Sequence, residues 1–414
     1  MKQKNLIIAI IVTLVCILGV TAVLFMYPYS PTNPPAANDT GSTPSGINEV
    51  VDSNNKFALD LYNELKSEEG NIFYSSYSIY SALGMTYEGA KGETANEMED
   101  VFGYPDNLKP NFAAVYNSIN NREGYELRTG NALWVQEDYK LLDNYVYNVE
   151  KYYGGKASNL NFKSETEKSR ETINNFIEEQ TNNKIKDLIP EGALNPMTRL
   201  VLTNAVYFKG DWKWEFDKSK TMEMDFRLED GSFVEVPMMH MEPDEAEFNY
   251  ADLGNLQVLE LPYKSDEVSM LVLLPNRSVD DLNLTLENIN KWKNQMEKES
   301  LDDIYLPKFE FDSKYMMKDT LSKMGMPTAF EPNNADFSGM SGQKDLFISS
   351  VIHQSYVKVD EKGTEAAAAT GVVMETTSFQ PGKVFRADHP FVFMIQDKET
   401  GSILFMGRVS NPNV

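Results

Sequence analysis

Few residues of this 414-residue chain are equipped for catalysis. It holds one cysteine, Cys16, and three histidines, His240, His353 and His389. Cys16 lies in an apolar N-terminal run, which leaves the rest of the chain without a thiol nucleophile or a disulfide. The histidines are far apart in sequence and none has the spacing of metal ligands, so no metal site and no cofactor are expected. No G-x-S-x-G nucleophile elbow and no Gly-rich phosphate loop occur. An enzyme, such as a hydrolase, is therefore the weakest reading. The most unusual chemistry belongs to a segment that could be acted upon.

That segment is Asp360 to Thr370, Asp-Glu-Lys-Gly-Thr-Glu-Ala-Ala-Ala-Ala-Thr, and it runs on to Ser378 with no proline before Pro381. Taken as a strand from Gly363 to Thr377, its side chains alternate between two faces. One face carries Thr364, Ala366, Ala368, Thr370, Val372, Met374 and Thr376, none of them charged. The other carries Glu365, Ala367, Ala369, Gly371, Val373, Glu375 and Thr377, so both acids share it. One face can enter a core while the other stays wet. Fully extended, the strip would reach roughly 50 Å at about 3.3 Å per residue. Alanine and glycine are weak strand formers, and four alanines in a row suit a helix or an exposed loop equally well.

The elements that must hold this strip form one large unit. From Ile47 onward there is no second linker, no repeat and no low-complexity tract, and 42% apolar residues support a sizeable core. The first half reads as helical: Ile79, Ala82, Leu83, Thr86 and Tyr87 recur at helical spacing after a serine-rich start, Gly89-Ala90-Lys91-Gly92 breaks the pattern, and Thr94 with Glu97 suggests a capping box. A further amphipathic helix is expected over 171–188. The second half reads as strands: 199–208, 255–261, 268–274, 347–359, 391–395 and 402–409. Val268 to Leu274 has almost no polar interruption and should be buried on both faces. The fold class expected is α+β.

The N-terminus differs. Leu6 to Met26 is an uncharged run of 21 residues behind Lys2 and Lys4, long enough to span roughly 30 Å as a helix. It reads as a membrane anchor over 1–27, with a cleaved signal peptide as the alternative because Val20-Thr21-Ala22 offers a cleavage site. Both place the remainder outside the cell, secreted or tethered to the outer face of the membrane. Residues 28–46, with five prolines among Ser, Thr, Asn and Gly, read as a semi-extended linker. A formal net charge of −24 repels phosphate backbones, which excludes nucleic acid as a partner.

Motifs in order along the chain then give the strip a context. Asn71-Ile72-Phe73-Tyr74-Ser75-Ser76-Tyr77-Ser78-Ile79, Gly89-Ala90-Lys91-Gly92-Glu93-Thr94, and Thr203-Asn204-Ala205-Val206-Tyr207-Phe208-Lys209-Gly210-Asp211-Trp212 come first. Leu306-Pro307-Lys308-Phe309, Ala335-Asp336-Phe337-Ser338-Gly339-Met340, Asp388-His389-Pro390-Phe391 and Leu404-Phe405-Met406-Gly407-Arg408-Val409 follow. From Glu49 to Val414 the chain resembles the serpin family. It departs from the family at Ser76, where proline is usual, and at Phe176, where tryptophan is common.

The resemblance implies the serpin fold over 47–414: a helix-rich N-terminal half, large mixed β-sheets and an exposed reactive loop at about 361–382. It implies a monomeric inhibitor of serine proteases, itself no enzyme, whose loop is cleaved between Thr377 and Ser378 and whose hinge then inserts into the main sheet with the acylated protease attached. The hinge and inserting strip would be Glu361, Gly363, Thr364, Glu365, Ala366, Ala367, Ala368, Ala369 and Thr370. Glu361 and Lys308 match the family's pair at the top of the sheet, and Trp212 the aromatic residue beneath it. Ser75, Ser78, Asn204 and His353 match the cluster where the central strands part. The absence of Lys and Arg from Thr364 to Pro381 points to a protease with an apolar or small-residue pocket. A cysteine protease as target, and a non-inhibitory chaperone, storage or carrier role, are the alternatives.

Overall fold

The computed structural model describes residues 36–120, 124–243, 246–364 and 382–414. Its helices are concentrated before Gln180, beginning with Pro44–Leu65, Ser76–Tyr87 and Gly92–Phe102. Pro44–Leu65 starts inside the stretch expected to be linker: Thr43 caps it, accepting from the Gly46 amide, and Pro44 occupies its first turn, where a missing N–H costs nothing. Ala37, also within that stretch, is buried.

Ser75 caps Ser76–Tyr87 by accepting from the Ser78 amide. Ser76 is thus the first helical residue, a position that suits proline, and its hydroxyl instead donates to Ile403 O at 2.9 Å. Two expectations need correcting. The Thr94–Glu97 capping box does not form, because both side chains serve tertiary contacts: Thr94 accepts from the Asp336 amide, and Glu97 accepts from the amide and hydroxyl of Thr328. The helix expected over 171–188 is Thr166–Gln180. It stops where Asn182 and Asn183 take left-handed backbone angles, φ 53° and 59°.

Three sheets follow. One has seven strands in the order Ile72–Tyr74, Ile403–Val409, Phe391–Asp397, Val268–Pro275, Leu256–Pro262, Phe248–Asp252, Glu297–Glu299. All eight residues of Val268–Pro275 are buried. A four-stranded sheet runs Val384–Arg386, Asp303–Pro307, Phe233–Met241, Met222–Arg227.

The main sheet runs Phe309–Met316, Ile348–Asp360, Leu200–Asp211, Ala132–Gln136, Lys156–Leu160, with Tyr125–Thr129 also on Leu200–Asp211. Its central strand shows the period of two directly. Leu200, Leu202 and Val206 face the principal core, whereas Val201 and Ala205 face a smaller core with Trp134, Ile173 and Ile177. The helix Thr166–Gln180 supplies that second layer, and Phe176 packs edge-on against Trp134 at 5.3 Å.

Candidate functional site

The two long central strands, Leu200–Asp211 and Ile348–Asp360, run parallel and pair from Leu200↔Ile348 to Tyr207↔Tyr356. Above that point they part. Gly363 and Thr364 fill the gap, antiparallel to both: Val359↔Thr364 and Asp360↔Gly363 on one side, Gly363↔Asp211 and Thr364↔Gly210 on the other. The first two residues of the small-residue strip are therefore already a short strand in the main sheet.

The turn feeding this strand is held on all sides. Asp360 accepts from the Lys362 amide at 3.0 Å. The Trp212 indole donates to Asp360 O at 3.0 Å, the Trp212 amide to Lys362 O at 2.6 Å, and the Phe216 amide to Glu361 O at 2.8 Å. Glu361 is largely buried, and its carboxylate accepts from Lys308 Nζ at 2.9 Å and Thr221 Oγ1 at 2.9 Å. Burial pushes that carboxyl up, but Lys308, with help from the backbone and Thr221, outweighs it and holds the group below the usual carboxylate range.

Gly363 cannot carry a side chain here: a Cβ would lie 2.0 Å from Gly210 O and 2.7 Å from Asp211 Cα. Thr364 is 1% exposed, and its hydroxyl meets that of Tyr263 at 2.7 Å. Tyr263 is itself buried and stacks on Trp212 at 4.6 Å. Its hydroxyl is pushed well above the ordinary tyrosine value by burial.

Roughly 20 Å lower on the same strands, six residues away at about 3.3 Å each, lies a different arrangement. His353 and Asn204 face each other in register across the central pair. The Ser75 amide donates to His353 Nε2 at 3.1 Å, so Nε2 is the bare nitrogen. Nδ1 then carries the proton and donates to Asn204 Oδ1. The Asn204 amide donates to Ser78 Oγ at 2.6 Å and to Asn131 Oδ1, Ser78 Oγ donates to Asn131 Oδ1 at 2.9 Å, and Ser75 Oγ donates to Leu404 O at 2.7 Å. The network is buried and every donor named finds an acceptor. Burial drives the imidazole pKa down from 6.5 to about 3, so it stays neutral and has no role as an acid or base.

Asn131 is the member that sequence reasoning missed. It sits immediately before the apolar run Ala132–Val135, and a lone amide at the head of a fully buried strand was the available signal. Of the residues expected to act together, Glu361, Lys308, Trp212, Gly363 and Thr364 meet at the top of the sheet, and Ser75, Ser78, Asn204 and His353 meet below. Glu365, Ala366, Ala367, Ala368, Ala369, Thr370, Thr377 and Ser378 lie outside the described residues.

The serpin family model, described as serine protease inhibitor, matches residues 52–412. The chain belongs to the serpin family. An uncharacterized serpin-like protein of Methanosarcina acetivorans is 43% identical over 371 residues, covering 88% of this chain and 86% of that protein. Human leukocyte elastase inhibitor is 37% identical over 383 residues, covering 88% of this chain and all of that one. Among solved structures, uncleaved ovalbumin superposes with a TM-score of 0.79 at 30% identity, over 88% of this serpin and 100% of ovalbumin. Serpins generally act on target proteases as inhibitors rather than as catalysts, though the family includes non-inhibitory members.

The expected location, secreted or tethered to the outer face, is corrected. Among the described residues no helix is long and apolar enough to cross a membrane, and the descriptions of the archaeal relatives carry nothing that speaks for export or tethering. Leu6 to Met26 lies outside the described residues.

Proposed function

We propose that this serpin is a suicide-substrate inhibitor of serine proteases, working as a monomer through a serpin domain over 47–414, with Thr377–Ser378 as the bait bond. The observation that carries this reading is the seated hinge: Gly363 and Thr364 occupy the gap between the two central strands, with Thr364 buried. That is the first step of a strand that lengthens by adding residues of the same type. The uncharged set continues in sequence as Ala366, Ala368, Thr370, Val372 and Met374.

The protease serine attacks the Thr377 carbonyl, the Thr377–Ser378 bond breaks, and the peptide beginning at Ser378 leaves as an amine, with Thr377 held as an ester. Freed at that end, the strip zips downward between Leu200–Asp211 and Ile348–Asp360. Each added residue satisfies backbone donors and acceptors, and alternate side chains are buried. Zipping requires the parallel pairing from Tyr207↔Tyr356 downward to open, and the His353–Asn204 network lies across that path.

The test is incubation of the full chain with a panel of serine and cysteine proteases, followed by denaturing electrophoresis and mass spectrometry of the released C-terminal peptide. A denaturant-resistant complex with an elastase-like or subtilisin-like enzyme, and a peptide starting at Ser378, is the expected result. Cleavage without any stable complex, leaving a product that melts no higher than the intact chain, would sink the reading in favour of a non-inhibitory serpin.

A further inference from the structure

We propose that His240, Glu242 and Asp303 form a site for a zinc-class divalent cation, and that the ion steadies the strand on the C-terminal side of the reactive loop. His240 and Glu242 are two residues apart and Asp303 lies 61 further on, yet each offers a ligand atom within 4.8 Å of the others. Backbone register creates the cluster. Phe233–Met241 and Asp303–Pro307 are antiparallel neighbours, with His240 opposite Tyr305 and Met241 opposite Ile304, so Asp303 at the strand's start lies beside His240 and Glu242. His240 is nearly buried and its Nε2 meets Asp303 Oδ1 at 2.6 Å. Its ring lies flat on Tyr305, 4.4 Å away and 2° from parallel, which fixes the direction of the ring nitrogens.

One imidazole and two carboxylates make a mixed nitrogen–oxygen set suited to zinc or a similar first-row ion, whereas calcium and magnesium favour oxygen alone. The chain's charge of −24 draws cations towards it. Loading has two local costs. Zinc sits about 2.0–2.2 Å from each ligand atom, so the short Nε2–Asp303 contact must widen and the ring proton must leave Nε2 for Nδ1. Glu242 must also exchange Lys220, which holds it at 2.9 Å. These costs weaken the site, and they make Lys220 a competitor whose removal tightens binding.

The same row of the sheet links the site to the loop. His240, Tyr305 and Arg386 stand in register on three adjacent strands, with the Arg386 guanidinium 4.3 Å from the centre of the Tyr305 ring. Arg386 ends Val384–Arg386, the edge strand that follows the reactive loop and pairs with Asp303–Tyr305. An ion that fixes Asp303 against His240 fixes the strand on which Val384–Arg386 rests. The role as a clamp on the loop rests on the inhibitor reading, but the binding does not.

The experiment uses the full chain stripped with a chelator and titrated calorimetrically with zinc chloride, with magnesium chloride in parallel. One zinc per chain is expected and no magnesium. Asp303→Asn and Glu242→Gln should each weaken zinc binding at least ten-fold, and Lys220→Gln should tighten it several-fold. Glu242 is exposed, so Glu242→Gln keeps the test valid if Asp303→Asn fails to fold. Hydrogen exchange should slow at Val384–Arg386 on zinc addition in the parent but not in Asp303→Asn. No saturable zinc binding, binding by either carboxylate variant as tight as the parent's, or binding without slowed exchange would each overturn the proposal. None of these readouts involves a protease, so failure here is distinguishable from failure to trap one.

Discussion

The same two strands are held together in opposite ways at two heights. At the top they are kept apart by a two-residue wedge, and the fastening is a charged pair, Glu361–Lys308, whose lysine is partly in water. Lower down they touch, and the fastening is a neutral, buried relay through His353 and Asn204 to Ser75, Ser78 and Asn131. Lys308 can exchange its partner for water, while Glu361, though largely buried, keeps the Thr221 hydroxyl. A buried relay is costly to leave half-made, because each orphaned donor or acceptor loses its partner without regaining solvent. Under the proposed insertion mechanism, the sheet would begin to open at one end and meet its resistance in the middle.

The largest effect expected from breaking this contrast is at the wedge. Thr364→Arg places a charge where the native side chain is 1% exposed and touches Tyr263. Burying it unpaired costs several kcal/mol on the order given for such groups. The variant should be cut as an ordinary substrate, with the covalent complex reduced at least ten-fold on a denaturing gel; undiminished trapping would remove the seated hinge from the mechanism.

Next comes acid. The unfolded His353 takes a proton below its ordinary value of 6.5, but in the fold it does so only near 3, because burial disfavours the charged ring. Between those values the unfolded chain binds more protons, so stability is full above 6.5 and falls as pH drops towards 3. Lowering pH from 7 to 5 should cost about 2 kcal/mol through this group. Chemical denaturation at the two pH values, compared with His353→Gln, checks it: a difference just as steep in the variant would assign the loss elsewhere.

Asn204→Ala should follow, at about 2 kcal/mol, since it strands the His353 Nδ1 proton in a dry site. Asn131→Ala should cost less, because Ser78 Oγ and the Asn204 amide retain each other. Melting temperatures of the two variants would rank them, and the reverse order would show that Asn131 and not Asn204 is the pivot. Smallest is Glu361→Gln, about 1 kcal/mol, because the amide keeps an oxygen to accept from Lys308 and Thr221. It should leave the melting temperature nearly unchanged while altering the rate of complex formation in stopped-flow measurements. A large loss of stability there would erase the distinction between the two heights.

The sequence showed some of this clearly and hid the rest for identifiable reasons. Side-chain parity from Gly363 needs only local geometry, and the cap at Ser75 needs only three residues. The relay could not be read locally: Ser78 to Asn204 spans 126 residues and Ser75 to His353 spans 278. Motif resemblance supplied Ser75, Ser78, Asn204 and His353, but no motif contained Asn131. The Thr94–Glu97 signature misled because a local cap and a tertiary contact compete for the same oxygens, and the tertiary partners lie more than 200 residues away. The meeting of His240 with Asp303 was hidden as the relay was: they lie 63 residues apart and come together only through strand register.

One further consequence lies in the order in which neighbouring strands are made. Ile403–Val409 is not an edge strand: it sits between Ile72–Tyr74 and Phe391–Asp397 with all seven residues buried, and Leu404 O receives the Ser75 hydroxyl. A central strand is therefore made after both of the strands it separates. While it is missing, Phe73 lacks its stacking partner Phe405 and the helix Pro44–Leu65 lacks the contacts of Asn54 and Asn55 with Ile403. Closure of this core must wait until Ile403–Val409 has emerged, which makes that strand a timer. Gly363 and Thr364 are made some 40 residues ahead of that timer, so for those seconds the hinge stands beside an unfinished core.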